Sequence, residues 1–99
     1  FPNVYDSHDL DTIVREFNEK WGGEHPRGTR IFFSDYSDDP WRYVSVQESN
    51  LELEQPYCYL KCDGCGHCGA GVPESLTKCR DQEKYWVKRW LDEYVSVVQ

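Results

Sequence analysis

Residues 57–68 read Tyr57-Cys58-Tyr59-Leu60-Lys61-Cys62-Asp63-Gly64-Cys65-Gly66-His67-Cys68, and the chain's fifth cysteine follows at Cys79. Two pairs in this run, Cys62/Cys65 and Cys65/Cys68, have the two-residue gap that lets paired thiolates bind one metal ion. A tetrahedral Zn²⁺ needs four ligands. The sequence therefore predicts a zinc site formed by Cys62, Cys65, Cys68 and Cys79.

This predicted site is structural. Four sulfur ligands leave no coordination position open for water or substrate, so a catalytic zinc is not indicated. His67 is an alternative ligand to Cys68. Cys58 alternates with two tyrosines on a predicted strand, and we expect it to be a small buried hydrophobe outside the site.

Two other chemistries of the cysteines are weaker. An odd cysteine count argues against a complete disulfide framework, and cysteines three positions apart do not readily pair while also joining separate elements. The run 62–68 with the remote Cys79 resembles the ligand pattern of single-cluster ferredoxins, although Arg80 stands where those proteins usually have proline. An iron–sulfur electron carrier is therefore the alternative to a zinc protein.

A redox function is the remaining alternative for this run. The tetrapeptide 65–68, Cys-Gly-His-Cys, resembles the active dithiol of protein disulfide isomerases, which lies at the start of a long helix. Here residues 69–73 read Gly-Ala-Gly-Val-Pro, and such a segment cannot continue a helix. We therefore do not expect a catalytic dithiol.

Two segments have apolar residues at helical spacing, which predicts helices over 8–21 and 80–96. Gly22 and Gly23 provide a stop for the first helix. Its apolar face is expected to be core, because a domain of 99 residues needs nearly every such face to fold. The residues of this face are Leu10, Ile13, Val14, Phe17 and Trp21.

Between the helices, β-branched and aromatic residues predict strands at 29–33, 41–47 and 51–60. Turn-forming residues at 34–40 and 48–50 would join them as an antiparallel meander, with Pro56 at a bulge or edge. The predicted fold is α+β: a three-stranded antiparallel sheet flanked by an N-terminal and a C-terminal helix, with a Cys-rich zinc knuckle before the last helix. We expect one domain over residues 1–99.

Composition restricts the partners. The chain has 11 Lys and Arg against 18 Asp and Glu, a net charge of −7, which disfavours direct binding to nucleic acid. No stretch approaches the roughly 20 apolar residues of a membrane span. Residues 1–11 lack the basic start and apolar run of a signal peptide, so we expect a cytoplasmic protein.

The acidic charge is concentrated between residues 34 and 56, a segment that has six acidic residues and one basic residue, Arg42. Acids beside aromatic side chains favour a docking surface for a protein with a basic surface, such as a nucleic-acid-binding protein whose groove the chain blocks by imitating phosphates. No nucleophile–base pair is apparent, so we do not expect an enzyme. The predicted function is a small acidic zinc-binding adaptor or inhibitor. Its predicted partner-binding residues are Asp35, Tyr36, Asp38, Asp39 and Trp41.

Overall fold

The computed structural model describes residues 7–67 and 77–98. Helix α1 spans Ser7–Trp21 and helix α2 spans Thr77–Val98. Between them lie strand β1 at Phe33–Tyr36, two short 3-10 helices at Pro40–Val44 and Leu51–Leu53, and strand β2 at Tyr57–Leu60. Both predicted helices are thereby confirmed.

The first helix ends for the reason the sequence suggested. Gly22 has φ of +100°, a conformation that residues with a Cβ rarely adopt, and its N–H donates to the carbonyl of Asn18 at 2.7 Å. Gly23 continues the turn with φ of +56°. The acidic Asp9 in the first turn complements the positive end of the helix dipole.

The predicted three-stranded antiparallel sheet is wrong. The described residues form a two-stranded parallel sheet in which Phe33 pairs with Tyr57 and Tyr36 with Leu60. Of the first predicted strand only Phe33 belongs to β1, whereas the end of the third, 57–60, is β2. A mixture of helix and strand is the part of the α+β prediction that holds.

The second predicted strand is wrong because its start favours a helical turn. Pro40 has the fixed φ of a first helical position, and Asp39 caps the turn by accepting from the Trp41 N–H at 2.9 Å. The segment 41–47 therefore begins as a 3-10 helix despite its aromatic and β-branched residues. Residues 51–53 likewise form a single 3-10 turn, closed by a bridge between Asn50 and Gln55.

The parallel arrangement decides where side chains can meet. Residues 37–56 carry the chain from the end of β1 back to the start of β2, so both strands end at the same edge of the sheet. Ser37 N–H donates to the Leu60 carbonyl at 2.9 Å and extends the pairing past the last residues of the strands. The two segments that leave the strands therefore start side by side.

Little apolar surface is buried among the described residues. The buried hydrophobic residues are Cys58, Cys65 and Cys79, and Asp35, Asp39 and Gln55 are the buried polar ones. The apolar face of α1, predicted to be core, is exposed, with Phe17 at 62% and Trp21 at 57%. That expectation is wrong because neither the short sheet nor α2 provides a surface that covers this face.

A disulfide attaches α2 to the sheet. Cys58 of β2 is bonded to Cys79 in the first turn of α2, with 5.7 Å between the Cα atoms. At the other end of the helix, Glu93 pairs with Arg30 at 3.7 Å. Within the described residues, neither helix has the length and apolar character that crossing a bilayer requires.

Candidate active site

Two loops meet at the edge where the strands end. We call residues 37–39, which follow β1, the β1 exit loop, and residues 61–67, which follow β2, the β2 exit loop. Functional groups of parallel sheets collect at this carboxyl edge, because both loops begin there and the strands fix their starting points. The β1 exit loop carries Asp39, and the β2 exit loop carries His67.

Asp39 is held by contacts to both of its carboxylate oxygens. Oδ1 accepts from the Trp41 N–H at 2.9 Å, and Oδ2 lies 2.8 Å from Nδ1 of His67. The residue is only 4% exposed, so its carboxyl group is fixed by packing as well as by hydrogen bonds. The same side chain thus caps a 3-10 helix and contacts an imidazole.

The charge state of Asp39 follows from these contacts. Its hydrogen bond with His67 lowers the pKa of the carboxyl group below its ordinary value of 3.8, the Trp41 N–H lowers the pKa further, and burial opposes both. Asp39 is therefore an ionised carboxylate, which can only accept hydrogen bonds. Nδ1 of His67 must then be the donor, and in the neutral ring Nε2 carries the lone pair.

The His67 ring that carries this second nitrogen is largely exposed. The His67 side chain is 68% exposed, whereas the Asp39 side chain is 5% exposed. Nε2 makes no hydrogen bond with any residue of the described ranges. An imidazole whose Nδ1–H is anchored by a buried carboxylate, and whose Nε2 is not hydrogen-bonded to any described residue, has the geometry that a general base requires.

The two exit loops are joined at two further points. Ser37 Oγ accepts from the Cys62 N–H at 2.8 Å and lies 2.9 Å from the Cys62 carbonyl, to which it can donate. The Asp38 carboxylate accepts from the Gly64 N–H. Gly64 has φ of +73°, so a residue with a Cβ would strain the turn that aims this N–H.

The predicted zinc site is wrong. Cys58 is disulfide-bonded to Cys79, and Cys62 to Cys65. A disulfide sulfur is not a thiolate, so these residues cannot be the ligands that zinc requires. Cys68, the remaining predicted ligand, lies outside the described residues, and within 7–67 and 77–98 no group of three His, Cys, Asp or Glu side chains could hold a metal ion.

The wrong interpretation has a physical cause. The two-residue gap of a zinc knuckle is also the spacing of a disulfide that closes a tight turn, and Cys62 and Cys65 have the 5.7 Å Cα separation that a disulfide accepts. Cys58 and Cys79, 21 positions apart, are brought together by the packing of α2 on β2. Cys58 is buried as expected, yet it is bonded, and His67 pairs with Asp39 instead of a metal.

The predicted partner-binding residues have mostly intramolecular contacts. Asp35 is 4% exposed and accepts from the Tyr57 hydroxyl at 3.1 Å. Asp38 and Asp39 contact the β2 exit loop, as described above. Tyr36 is half-buried, and Trp41 is 65% exposed.

Sequence reasoning missed the pairing of Asp39 with His67. One signal was present. Asp39 follows the strand-forming run at 33–36, and His67 follows the strand-forming run at 57–60. An acid and a histidine that follow neighbouring parallel strands can meet at the carboxyl edge of the sheet. The antiparallel prediction hid this signal, because it put a further strand, 41–47, between these two segments.

Comparison with known proteins gives one informative relative. No family model matches the chain, and no solved structure matches it. The chain is 31% identical over 103 aligned positions to a curated protein of Arabidopsis thaliana named "Probable serine protease EDA2". The alignment covers 86% of this chain and 21% of that protein, so the chain spans about a fifth of the relative's length. This similarity to a protein named as a protease contradicts our expectation that the chain is not an enzyme.

Proposed function

We propose that this chain provides the acid and the base of a Ser-His-Asp catalytic triad in a serine protease. The observation that carries the proposal is the 2.8 Å contact between His67 Nδ1 and Asp39 Oδ2, with Nε2 not hydrogen-bonded to any described residue. Asp39 holds the imidazole in the tautomer that can accept a proton at Nε2. The name of the Arabidopsis relative agrees with this chemistry.

In this proposal the nucleophile comes from outside the described residues. None of the serines in the described ranges is hydrogen-bonded to His67. Among α/β-hydrolases the triad follows the chain order Ser, Asp, His, with the last two after strands of a parallel sheet. Asp39 and His67 have this order and these positions, so we place the serine in a segment that precedes them in a longer polypeptide.

The roles of the two residues follow from the geometry. His67 Nε2 takes the proton from the serine hydroxyl as its oxygen attacks the carbonyl carbon of a peptide bond. The imidazolium that forms is stabilised by the buried carboxylate of Asp39. It then donates the proton to the leaving amine, and the acyl-enzyme is hydrolysed when His67 accepts a proton from water.

The incomplete packing supports a place within a larger sheet. Parallel sheets occur almost only with both faces covered, because each crossover connection lies against a face. The two strands described here are short and paired only with each other, and α1 exposes a row of apolar side chains. The rest of a hydrolase domain would supply further strands beside β1 and β2 and cover these faces.

The two disulfides bear on the compartment. Disulfides persist in oxidising environments and are rare in the cytosol. We therefore propose the secretory pathway, or another oxidising compartment, in place of the cytoplasm. The acidic docking surface stays a prediction: Asp35, Asp38 and Asp39 each hold an intramolecular contact that a docked partner would have to share.

The test uses the full-length polypeptide that contains this chain. A fluorophosphonate probe reacts only with a serine that a nearby base has activated. We expect stoichiometric labelling of one serine, and loss of labelling in His67→Ala. His25→Ala is the matched control, because His25 is an exposed histidine that faces a carboxylate, Glu48, at 3.6 Å without being buried against it.

The outcomes separate clearly. Labelling of the wild type and of His25→Ala, with none in His67→Ala, supports the proposal. A full-length protein that the probe does not label, or one that is labelled equally well in His67→Ala, would refute it. Peptide mapping of the labelled serine to a position before Asp39 checks the predicted chain order.

A further inference from the structure

The β2 exit loop is attached to the β1 exit loop at three successive points. Ser37 contacts the backbone of Cys62, Asp38 accepts from Gly64, and Asp39 contacts His67. Each residue of the β1 exit loop thus holds one point of the β2 exit loop, in order. The His67 side chain is mostly exposed, so the position of its ring depends on these attachments.

The Cys62–Cys65 disulfide lies between the first and last of these points. It closes a turn of four residues that contains Gly64, and it ends two residues before His67. Cys65 is 1% exposed, and its sulfur lies 4.0 Å from Ser37 Oγ. The hydroxyl of Ser37 therefore contacts both halves of the cross-linked turn, and Asp39 stands two positions after this serine.

We propose that the Cys62–Cys65 disulfide and Ser37 form a positioning unit that holds the His67 imidazole against Asp39, and that reduction of this disulfide by a dithiol lowers the reactivity of the base. This inference rests on the proposed function. Cross-linking a loop removes conformations in which its ends separate, so the intact disulfide keeps His67 close to Asp39. When the turn opens, the Cys62 backbone can leave Ser37 and the imidazole loses its fixed orientation.

Burial decides which sulfur of the Cys62–Cys65 disulfide a reductant can attack. Cys62 is half-buried, whereas Cys65 is buried, so the thiolate of an external dithiol attacks the sulfur of Cys62. The sulfur–sulfur bond breaks, and Cys65 leaves as a thiolate beside the Ser37 hydroxyl, which can donate to it. The second thiol of the reductant then displaces Cys62. Two electrons and two protons pass to the protein, and the reductant becomes a disulfide.

The second disulfide is an internal control. Cys58 and Cys79 are 4% and 1% exposed, so neither sulfur is open to attack in the folded protein. Alkylation of the reduced protein followed by peptide mapping should therefore modify Cys62 and Cys65 while Cys58 and Cys79 stay bonded. The change in activity can then be assigned to one disulfide.

The experiment measures fluorophosphonate labelling of the full-length protein before and after dithiothreitol treatment. We expect the labelling rate at saturating probe to fall by on the order of 10- to 100-fold, which is the effect of displacing a catalytic group by about 1 Å. The probe concentration for half-maximal rate should not change, because substrate binding is not affected. Reoxidation should restore the rate.

Variants identify the positioning unit. Cys62→Ala/Cys65→Ala should show the lowered rate permanently and no response to dithiothreitol. Ser37→Ala should lower the rate, and Ser37→Thr, which keeps a hydroxyl, should restore it in part. Nuclear magnetic resonance adds a readout independent of activity, because the far-downfield signal of the His67 Nδ1–H should weaken on reduction as the contact with Asp39 is lost.

Two outcomes would overturn the inference. One is a Cys62→Ala/Cys65→Ala variant with the wild-type labelling rate and an unchanged Nδ1–H signal. The other is loss of activity on reduction in a protein whose Cys62 and Cys65 resist alkylation. Failure of the inference is distinct from failure of the proposed function. If only the inference fails, His67→Ala still abolishes labelling. If the proposed function fails, no variant changes labelling.

Discussion

Removing the Cys58–Cys79 disulfide should free the start of α2 from the sheet. The perturbation is Cys58→Ala/Cys79→Ala in the full-length protein, which removes both sulfurs of this bond so that neither partner is left as a free thiol. Each sulfur is buried, and the bond joins the middle of β2 to the first turn of α2. Its other residues, Thr77, Lys78 and Arg80, are exposed, so the local stability of this turn should depend on the cross-link.

The magnitude follows from the length of chain that the bond closes. For a separation of 21 residues, the loop-closure model gives a stabilisation of about 3 kcal/mol at 25 °C. The same model gives roughly 1.6 kcal/mol for the separation of three between Cys62 and Cys65. The longer loop should therefore account for most of the stability that the disulfides provide.

Hydrogen exchange measured by mass spectrometry tests this value at the helix itself. A loss of about 3 kcal/mol corresponds to roughly 150-fold faster exchange of the amides in Thr77–Val98. Cys62→Ala/Cys65→Ala is the matched control, because its bond does not involve α2, and exchange in α2 should stay near wild type. A rise of less than tenfold in Cys58→Ala/Cys79→Ala would refute the reasoning.

Three further predictions concern the site and its surroundings. Asp39→Asn should lower kcat by about 10³- to 10⁴-fold, because an amide cannot both hold the Nδ1–H tautomer of His67 and cap the Trp41 N–H. Asp63→Asn, the same change at an exposed position of the β2 exit loop, should have no effect on kcat. A tenfold loss or less in Asp39→Asn would contradict the triad. Burial, and then the hydrogen bond to Asp35, raise the pKa of Tyr57 to about 12, so the stability that its protonated form provides is complete below pH 10 and is lost as pH rises to 12. The curve of tyrosinate absorbance against pH should therefore lack its last titration step in Tyr57→Phe. An unchanged curve would contradict the raised pKa of Tyr57. Treatment with a chelator should leave stability unchanged, since the cysteines of the described ranges are disulfide-bonded, and metal analysis that finds one zinc per chain would overturn this assignment.

Helical periodicity was enough to predict both helices. The apolar spacing of α1 and its glycine stop depend on local geometry, which the sequence contains in full. The strand order could not be predicted in the same way, because pairing depends on contacts between distant residues. Asp39 and Pro40 favour a 3-10 turn over the predicted second strand, and this local preference removed the meander on which the antiparallel interpretation rested.

The candidate site could be predicted only in part. The sequence identified both Asp39 and the Cys-rich run as functional. It assigned Asp39 to partner docking and the cysteines to zinc binding. Spacing alone does not distinguish a metal knuckle from a disulfide turn, because both need sulfur atoms at short separation. The contact of Asp39 with His67 spans 28 residues and depends on the parallel register of β1 and β2, which the sequence pattern did not contain.

The two contacts of Asp39 also restrict which residue position 39 can tolerate. Asparagine offers one oxygen and one amide nitrogen, so it can satisfy the Trp41 N–H or the imidazole N–H but not both. Glutamate carries the charge on a longer stem, which moves the carboxylate away from the backbone N–H that it must reach. Aspartate alone meets both demands, so random mutagenesis with selection for activity should recover a single amino acid at this codon.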